Sequence, residues 1–239
     1  MEKYDVVYVL ANDIKSDEIR YSVRSVVKNF PYNRIVFYGG KPKDIEPDVY
    51  VEVKQVGYDR YDKVIYTLEK ICADDNLTDN FWLFNDDFFI MQPVDDLPYA
   101  FAGTIEYRIN NLDFNHGPTG SYIRAQKGIK DYLVRHGYDT LNYALHIPML
   151  INRKLAAKTL DEHPNQKMFR ALYGNVNKVG GILMNDVKIY NSGDEPDKNS
   201  PLLSTKDSSF RYGLVGEYIR DIFKEPCKYE RDNRQWQQD

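Results

Sequence analysis

The sequence is poor in the residues that most often indicate a disulfide scaffold, a zinc site or a membrane anchor. Of its 239 residues only 2 are cysteine and 4 are histidine, so it offers no disulfide framework and no four-ligand zinc site. No apolar run approaches the roughly 18–20 residues of a membrane span. The first residues lead into a short strand and do not resemble a signal peptide. These absences favour a cytoplasmic protein in a reducing compartment.

Three common catalytic signatures are also missing. The chain has no Gly-x-Gly-x-x-Gly after a strand and no Gly-Lys-Ser/Thr loop, which disfavours dinucleotide oxidoreductases and P-loop NTPases. It has no Gly-x-Ser-x-Gly elbow, which disfavours α/β-hydrolases. The chemistry must therefore be sought in other residues.

Charge is abundant but unevenly distributed. The chain carries 32 Lys+Arg and 36 Asp+Glu, a net charge of −4, yet residues 124–188 alone balance at +6. One interpretation is a set of solvated helix faces, and the other is a surface for an anionic partner. The pattern does not specify an oligomeric state.

Apolar strand-like runs alternate with helical periodicity through residue 91, which predicts an α/β fold with a mostly parallel sheet and helices on both faces. The remainder is richer in helix. We expect one domain with two functional halves, 1–95 for donor and metal and 96–239 for the acceptor. The predicted strands are 4–10, 34–38, 49–53 and 81–84, and the predicted helices include 16–30, 62–72, one capped by Asn152, one capped by Asn165, and 210–223.

The most informative feature is an acidic doublet, Asp86-Asp87, which follows Asn85 inside an otherwise apolar segment. Unpaired buried carboxylates cost several kcal/mol, roughly, so something must compensate them. In open α/β sheets ligands bind beyond the carboxyl ends of the strands. Carboxylates there suit Mg²⁺ or Mn²⁺, which can hold a substrate diphosphate. The alternative is a turn whose acids pair with arginine or backbone N–H groups.

Three stretches carry a family resemblance: YDVVYV at 4–9, DEIRYSVRS at 17–25 and FWLFNDDFFI at 81–90. They resemble GT-A-type nucleotide-sugar transferases with a DxD-like motif. They are more closely similar to the Stealth family of sugar-phosphate transferases and to related glycosyltransferase-like proteins of bacteria and phages. Residues 10–13 depart from the Stealth pattern, in which a Trp-Val-Asp-Gly-like turn is usual.

The resemblance implies transfer of a sugar or sugar phosphate from a nucleotide sugar, such as a UDP-sugar, with Mn²⁺ or Mg²⁺. Asp86 and Asp87 match the metal motif. The remaining donor contacts that it implies are Asn12 and Asp13 to base or ribose, Arg24 to the diphosphate, and Asn85 with Asp86 beside the metal.

Candidates for the group that accepts the acceptor's proton lie in the second half. His146 is a candidate base or metal ligand, and Asp186 a candidate base; Asp207 would be a base or third metal ligand. The alternatives are a hydrogen-bonded structural histidine, a turn and a helix cap. His116, in a polar loop, would reach the acceptor or lie exposed.

The sequence therefore predicts a metal-dependent glycosyltransferase that acts in a bacterial or phage-infected cell. Its acceptor would be a hydroxyl on an anionic polymer, either a surface glycan or phage DNA with a hydroxylated base. One alternative is Stealth-type sugar-phosphate transfer. Another is a non-catalytic module that binds a nucleotide or a glycan.

Overall fold

A five-stranded, mostly parallel sheet lies at the centre of the molecule, which the computed structural model describes at residues 2–14, 16–111 and 120–231. In spatial order its strands are β3 (Val49–Glu52), β2 (Ile35–Gly39), β1 (Asp5–Leu10), β4 (Asn80–Phe84) and β7 (Met149–Asn152). The strand β1 pairs in parallel with β2 and β4, and β2 pairs in parallel with β3, whereas β7 is antiparallel to β4. This is the α/β architecture that the sequence predicts.

Helices cover both faces of this sheet because successive side chains of its strands point to opposite sides. In β1, Tyr8 belongs to the core under α1 (Glu18–Asn29), whereas Val7 belongs to the core on the other face. That second core contains side chains of three helices: α2 (Arg60–Cys72), α5 (Arg153–Glu162) and α6 (Phe169–Val176).

Smaller elements complete the fold. A second sheet contains β5 (Phe88–Ile90), β10 (Leu202–Thr205) and β9 (Lys188–Ile189), in that order. A ribbon pairs β6 (Ala100–Phe101) with β8 (Ile182–Leu183). The remaining helices are α3 (Ile105–Asn110), α4 (Gly120–Arg135), α7 (Asp207–Tyr212) and α8 (Leu214–Ile222). None of the helices in the described ranges is long and apolar enough to span a bilayer.

The helix α1 holds β5 through a stripe of buried polar side chains. Ser22 Oγ donates to the carbonyl of Phe88 at 2.5 Å, and Ser25 Oγ accepts from the amide of Ile90 at 3.0 Å. Asn29 Nδ2 donates to the carbonyl of Ile90 at 2.7 Å. These side chains therefore satisfy one edge of β5, while β10 pairs with the other edge.

Some predicted boundaries need correction. The expected helix 210–223 is two helices, because Gly213 between them has an extended backbone; a Cβ at Gly216 would lie 1.7 Å from the carbonyl oxygen of Phe210. Asn165 is not a cap, since it has φ +65° and α6 begins at Phe169. The cap at Asn152 is confirmed, its side chain accepting from Leu155 N.

Candidate active site at the carboxyl edge of the sheet

The acidic doublet lies at the point where the order in which the chain adds strands to the sheet changes direction. From β1 the chain proceeds to β2 and β3 on one side, and β4 is then inserted on the other side of β1. The carboxyl ends of β1 and β4 flank this switch point, where open α/β sheets bind ligands. Residues Asn85, Asp86 and Asp87 form the turn directly after β4, before the chain enters β5.

Asp87 is held by the second sheet. Its Oδ2 accepts from Lys188 Nζ at 2.5 Å and from Ser204 Oγ at 3.3 Å. Its other oxygen, Oδ1, is buried and has no hydrogen-bond partner among the described residues. A buried carboxylate oxygen without a partner is costly, so this atom marks a position at which a cation or donor would be stabilised.

The carboxyl group of Asp86 has a pKa raised to about 6, first by burial and then by the negative charge of Asp87. Lys188 opposes this rise in pKa, and Asp207 adds to it. The doublet therefore carries more negative charge than its neighbours neutralise, which is the condition that favours an added cation.

A third carboxylate, Glu18, lies close enough to Asp86 and Asp87 for their charges to raise its pKa. It lies in the first turn of α1 with 4% of its surface exposed, and its Oε1 accepts from Thr205 Oγ1 at 2.5 Å. Burial raises the pKa of Glu18 to about 7, with Asp87 and Asp86 contributing in the same direction. Glu18 is not among the site residues that the sequence predicts, although it begins the polar i, i+4, i+7 stripe that continues with Ser22 and Ser25.

His146 and Asp186 form a hydrogen-bonded pair at the same carboxyl edge of the central sheet. Because β7 is antiparallel to β4 and Met149 pairs with Leu83, the residues just before β7 lie beside the end of β4. His146 Nδ1 lies 2.8 Å from Asp186 Oδ2, and the backbone N–H of His146 donates to Oδ1 at 3.1 Å. The two candidates are thus brought together.

The carboxylate of Asp186 is kept charged by this pairing. Burial would raise its pKa, but the hydrogen bond and charge of His146 and the charge of Arg108 outweigh burial, and the pKa of Asp186 is lowered. Arg108 Nη2 lies 3.8 Å from Asp186 Oδ2. The ring of Tyr190 stands edge-on to His146 at 6.4 Å and lies 6.0 Å from Lys188 Nζ. Tyr190 therefore links the His146–Asp186 pair to the doublet.

Arg170 is a further charged residue of the site that the sequence does not predict. Burial lowers the pKa of its guanidinium to about 10, whereas the carboxylates of Asp87 and Asp186 act in the opposite direction. The positive charge of Arg170 thus acts on both parts of the site. The guanidinium donates to backbone carbonyl oxygens at the ends of β4 and before β7, those of Leu83, Leu145 and Ile147.

Asn12 and Asp13 lie exposed on the loop after β1. Asn12 Nδ2 donates to Val53 O at 2.8 Å and its Oδ1 accepts from Gln55 N at 3.1 Å, so Asn12 joins the loops after β1 and β3. An open depression of about 400 Å³ lies at the carboxyl ends of β1, β2 and β3. It is lined by Asn12, Gly39, Gly40, Lys41, Tyr50, Glu52, Lys54 and Gln55.

Arg24 is not brought to the doublet. Its Nε and Nη2 each lie 2.6 Å from a carboxylate oxygen of Glu230. Its Nη1 donates to the carbonyls of Phe223 and Lys224 at 2.7 and 3.0 Å. Arg24 therefore anchors the C-terminal segment to α1, and we do not retain it as a diphosphate ligand.

Asn85 and Asp207 occupy peripheral positions. The side chain of Asn85 is exposed. Asp207 begins α7 and pairs with Arg211 Nε at 2.8 Å, with 55% of its side chain exposed; it does not cap the helix. Asp207 reaches the doublet only through its charge, which raises the pKa of Asp86. His116 lies outside the described residues.

The donor set fits a metal that shares its coordination with substrate. In the ranges that the structure describes, no three His, Cys, Asp or Glu side chains are grouped closely enough to hold an ion by themselves. Mg²⁺ is commonly bound by one or two carboxylates and completed by water and phosphate oxygens. The adjacent Asp86 and Asp87, with one buried oxygen unpaired, suit that arrangement.

In the folded protein, the stretch 124–188 presents less positive charge than its sequence count of +6 suggests. Several of its cations form ion pairs with acids outside the stretch, so the +6 balance overstates the charge that this region presents to a partner. These pairs are Lys130–Glu106, Arg153–Asp75, Lys154–Asp79, Lys167–Asp59 and Lys188–Asp87.

Together, fold and site define an α/β protein with a polar, carboxylate-rich centre at the carboxyl edge of its sheet. No family model and no curated protein matches the chain. Among solved structures it is similar to the galactosyltransferase LgtC in complex with donor and acceptor sugar analogues, at 10% identity and a TM-score of 0.46, covering 98% of this chain and 99% of that one. It is also similar to 4-diphosphocytidyl-2C-methyl-D-erythritol synthase, at 10% identity and a TM-score of 0.42, covering 94% and 100%. Likenesses at this level assign no activity.

Proposed function

We propose that the chain is a glycosyltransferase that moves a sugar from a nucleotide-sugar donor to a hydroxyl group. The observation that carries this proposal is the placement of two dissimilar reactive groups at one edge of the sheet. The doublet Asp86-Asp87 can bind a cation, and the His146–Asp186 pair can accept a proton. A group transfer from a diphosphate leaving group to a hydroxyl can use both, the cation at the leaving group and the proton acceptor at the hydroxyl.

The donor would lie across the carboxyl ends of the parallel strands. The depression beside Asn12 accommodates the base and ribose, with Asp13 exposed on the same loop. The diphosphate then extends over the switch point towards the turn after β4. Asn12 builds the wall of this site, since its amide holds the loop after β3.

Asp86 and Asp87 would hold Mn²⁺ or Mg²⁺. Such an ion, when bound, neutralises charge that develops on the diphosphate as the bond to the sugar breaks. Ser204 supports the doublet from β10, because its hydroxyl donates to Asp87 Oδ2. Arg170 holds the end of β4 against the loop before β7 and so sets the spacing between the two reactive groups.

His146 would act as the general base and Asp186 as its positioning residue. The carboxylate of Asp186 accepts from the Nδ1 side of the imidazole, which leaves Nε2 as the proton acceptor. The acceptor oxygen forms a bond to the anomeric carbon, its proton passes to His146 Nε2, and the electron pair of the broken bond leaves with the diphosphate. This single displacement inverts the anomeric configuration.

A ligand panel tests the donor assignment. Nucleotide sugars are added with and without Mn²⁺ and the melting temperature is measured, since a ligand that binds the native state raises apparent stability by mass action. We expect a metal-dependent rise for one donor class, lost in Asp87→Asn and retained in the exposed control Asp161→Asn. If no nucleotide sugar shifts the melt and metal has no effect, the proposal is wrong.

Product analysis tests the reaction type and the acceptor. Release of a nucleoside diphosphate with inversion at the sugar supports the mechanism above, whereas release of a monophosphate would replace it with sugar-phosphate transfer. We propose a carbohydrate hydroxyl as acceptor. For an anionic polymer such as DNA, the rate would fall steeply with salt, with a log–log slope of about −0.9 per phosphate contact. A salt-insensitive rate supports the carbohydrate acceptor.

A further inference from the structure

Lys188 holds one carboxylate oxygen of Asp87, Oδ2, beside the buried Oδ1 that has no partner among the described residues. Its Nζ lies 2.5 Å from Asp87 Oδ2, and the two side chains are exposed by only 14% and 13%. Within the described ranges, Lys188 is the cation that forms an ion pair with the doublet. Burial lowers the pKa of its ammonium group, but the charge of Asp87 and its hydrogen bond outweigh burial, and the pKa is raised.

The other positive group that acts on the doublet is engaged elsewhere. Arg170 donates its N–H groups to backbone carbonyl oxygens, and its influence on Asp87 is electrostatic only. Lys188 has a flexible stem, and a lysine ammonium makes no fixed bidentate fork. Lys188 is therefore the cation that can leave Asp87 without unfolding its surroundings.

Tyr190 lies near both Lys188 and His146. Its ring lies 6.0 Å from Lys188 Nζ and 6.4 Å from the ring of His146. The contacts therefore run from Asp87 to Lys188, from Lys188 to Tyr190, and from Tyr190 to His146. In the donor position proposed above, the diphosphate extends towards the turn that contains Asp87, so an ammonium released from Asp87 would be able to pair with a phosphate oxygen.

We propose that Lys188 is a built-in counter-ion that competes with a divalent cation for Asp87 and is transferred to the donor diphosphate when the metal binds. The competition for Asp87 concerns the cation alone, whereas the transfer to the diphosphate rests on the proposed function. Without nucleotide, the metal must displace an ammonium that loses its ion pair with Asp87 and gains no phosphate in exchange. With a diphosphate present, the ammonium gains a partner, so metal and nucleotide bind cooperatively.

Titration of Mn²⁺ alone, followed by electron paramagnetic resonance of the free ion, tests the competition. Lys188→Met vacates Asp87, and we expect Mn²⁺ to bind about tenfold more tightly than to the wild type. Lys188→Arg keeps a cation there and is expected to stay within about threefold of the wild type. If Lys188→Met does not fold, Lys188→Gln carries the same expectation as the methionine variant.

Arg108→Met is the matched control, because it removes one positive charge near the site without vacating Asp87. We expect it to change Mn²⁺ affinity by less than about threefold. Equal effects of Lys188→Met and Arg108→Met would show a general field effect and overturn the proposal. Unchanged or weaker Mn²⁺ binding by Lys188→Met, or no Mn²⁺ binding by any variant, would also overturn it.

Repeating the Mn²⁺ titration with UDP present tests the proposed transfer of Lys188 to the diphosphate. In the wild type UDP should tighten Mn²⁺ binding, and in Lys188→Met the tightening should be smaller by about tenfold, because no ammonium is transferred. An undiminished effect of UDP in the variant would contradict the transfer. Failure of the proposed function is seen separately, as the absence of any nucleotide-sugar effect on the melt while the Mn²⁺ result stands.

Discussion

At the scale of single residues, the acids of the site differ in what surrounds each of them. Asp186 is paired and keeps its charge, whereas Asp86, which is half-buried, and Glu18, which is buried, lie near other carboxylates and have raised pKa values. Neighbouring groups with opposed pKa shifts are typical of functional sites. The surroundings of Asp186 predict an effect on turnover, and those of Glu18 predict an effect on stability.

The pairing of His146 with Asp186 predicts a loss of turnover. His146→Ala should lower kcat by about 10²–10⁴-fold, the usual range for a general base. Asp186→Asn should lower kcat with little change in the KM of the donor, because it disturbs the orientation of the imidazole and leaves donor binding intact. The measurement is kcat and KM from pH 5 to 9, with the exposed His136→Ala as control. An unchanged kcat in His146→Ala would remove this histidine from the mechanism.

Glu18 predicts a stabilising substitution. Its pKa is about 7 in the fold, above its ordinary 4.5, so the folded state binds the proton more tightly. Ionisation therefore costs stability as pH rises from about 4.5 to 7. Glu18→Gln removes that cost and should raise the free energy of unfolding at pH 8 by about 1–3 kcal/mol.

Urea denaturation at pH 8 and pH 4.5 measures this difference, which should shrink at the lower pH. Glu217→Gln, on the exposed face of α8, is the control and should change little at either pH. A Glu18→Gln protein that is less stable than the wild type at pH 8 would contradict the assignment of a buried, destabilised carboxylate.

At the residue scale the sequence predicts the doublet because two acids interrupt an apolar run, which is visible locally. It does not predict Lys188 or Arg170, because neither lies in an unusual segment. Lys188 reaches Asp87 through the pairing of β9 with β10 and of β10 with β5. Residues 101 positions apart in sequence meet only after both sheets have formed.

At the scale of elements, α1 acts as a polar partner for a strand edge. Its apolar stripe packs on the central sheet, and its buried serines and Asn29 bond to the backbone of β5. The apolar periodicity of α1 is readable from the sequence. The second function of its polar stripe is not, because serine in a helix is compatible with a solvent-facing position.

Ser25→Ala tests the role of this polar stripe. It leaves the buried N–H of Ile90 without its acceptor, which should lower the free energy of unfolding by about 1–3 kcal/mol. Ser208→Ala, at a partly exposed position on α7, is the control and should cost much less. Equal midpoints in urea for Ser25→Ala and the wild type would show that α1 does not support β5 in this way.

At the scale of the whole molecule, the C-terminal segment is tied to the first half by a buried ion-pair network. The carboxylate of Glu230 accepts hydrogen bonds from Arg24 and from Arg20, the latter at 2.8 Å. The backbone of Glu230 forms an antiparallel β-bridge with that of Ile45. Burial would raise the pKa of Glu230, but Arg24, the backbone of Cys227 and Arg20 lower it to about 2.

This network predicts how stability depends on pH. Because the pKa of Glu230 is lowered from 4.5 to about 2, its contribution is present above pH 4.5 and is lost as pH falls through that window. Glu230→Gln leaves Arg24 buried without its anion and should cost about 3–5 kcal/mol at pH 7.

The difference in stability between Glu230→Gln and the wild type should narrow towards pH 2–3 in denaturant titrations, since protonation of Glu230 then removes from the wild type the charge that the variant lacks. Glu225→Gln, an exposed acid in the same segment, is the control and should remain close to the wild type at both pH values. A loss that is constant down to pH 2 would contradict the ion-pair explanation.

The sequence by itself determined the α/β class, the strand that leads into the doublet, and the acidity of the turn. Those features depend on local apolar runs and on residues adjacent in the chain. The tertiary structure decided which charges meet: it paired His146 with Asp186, turned Arg24 towards Glu230, and offset the basic stretch with acids from other elements. These contacts join residues distant in sequence, and their burial, which sets the pKa values and charge balance of the site, exists only once the sheets and helices have packed together.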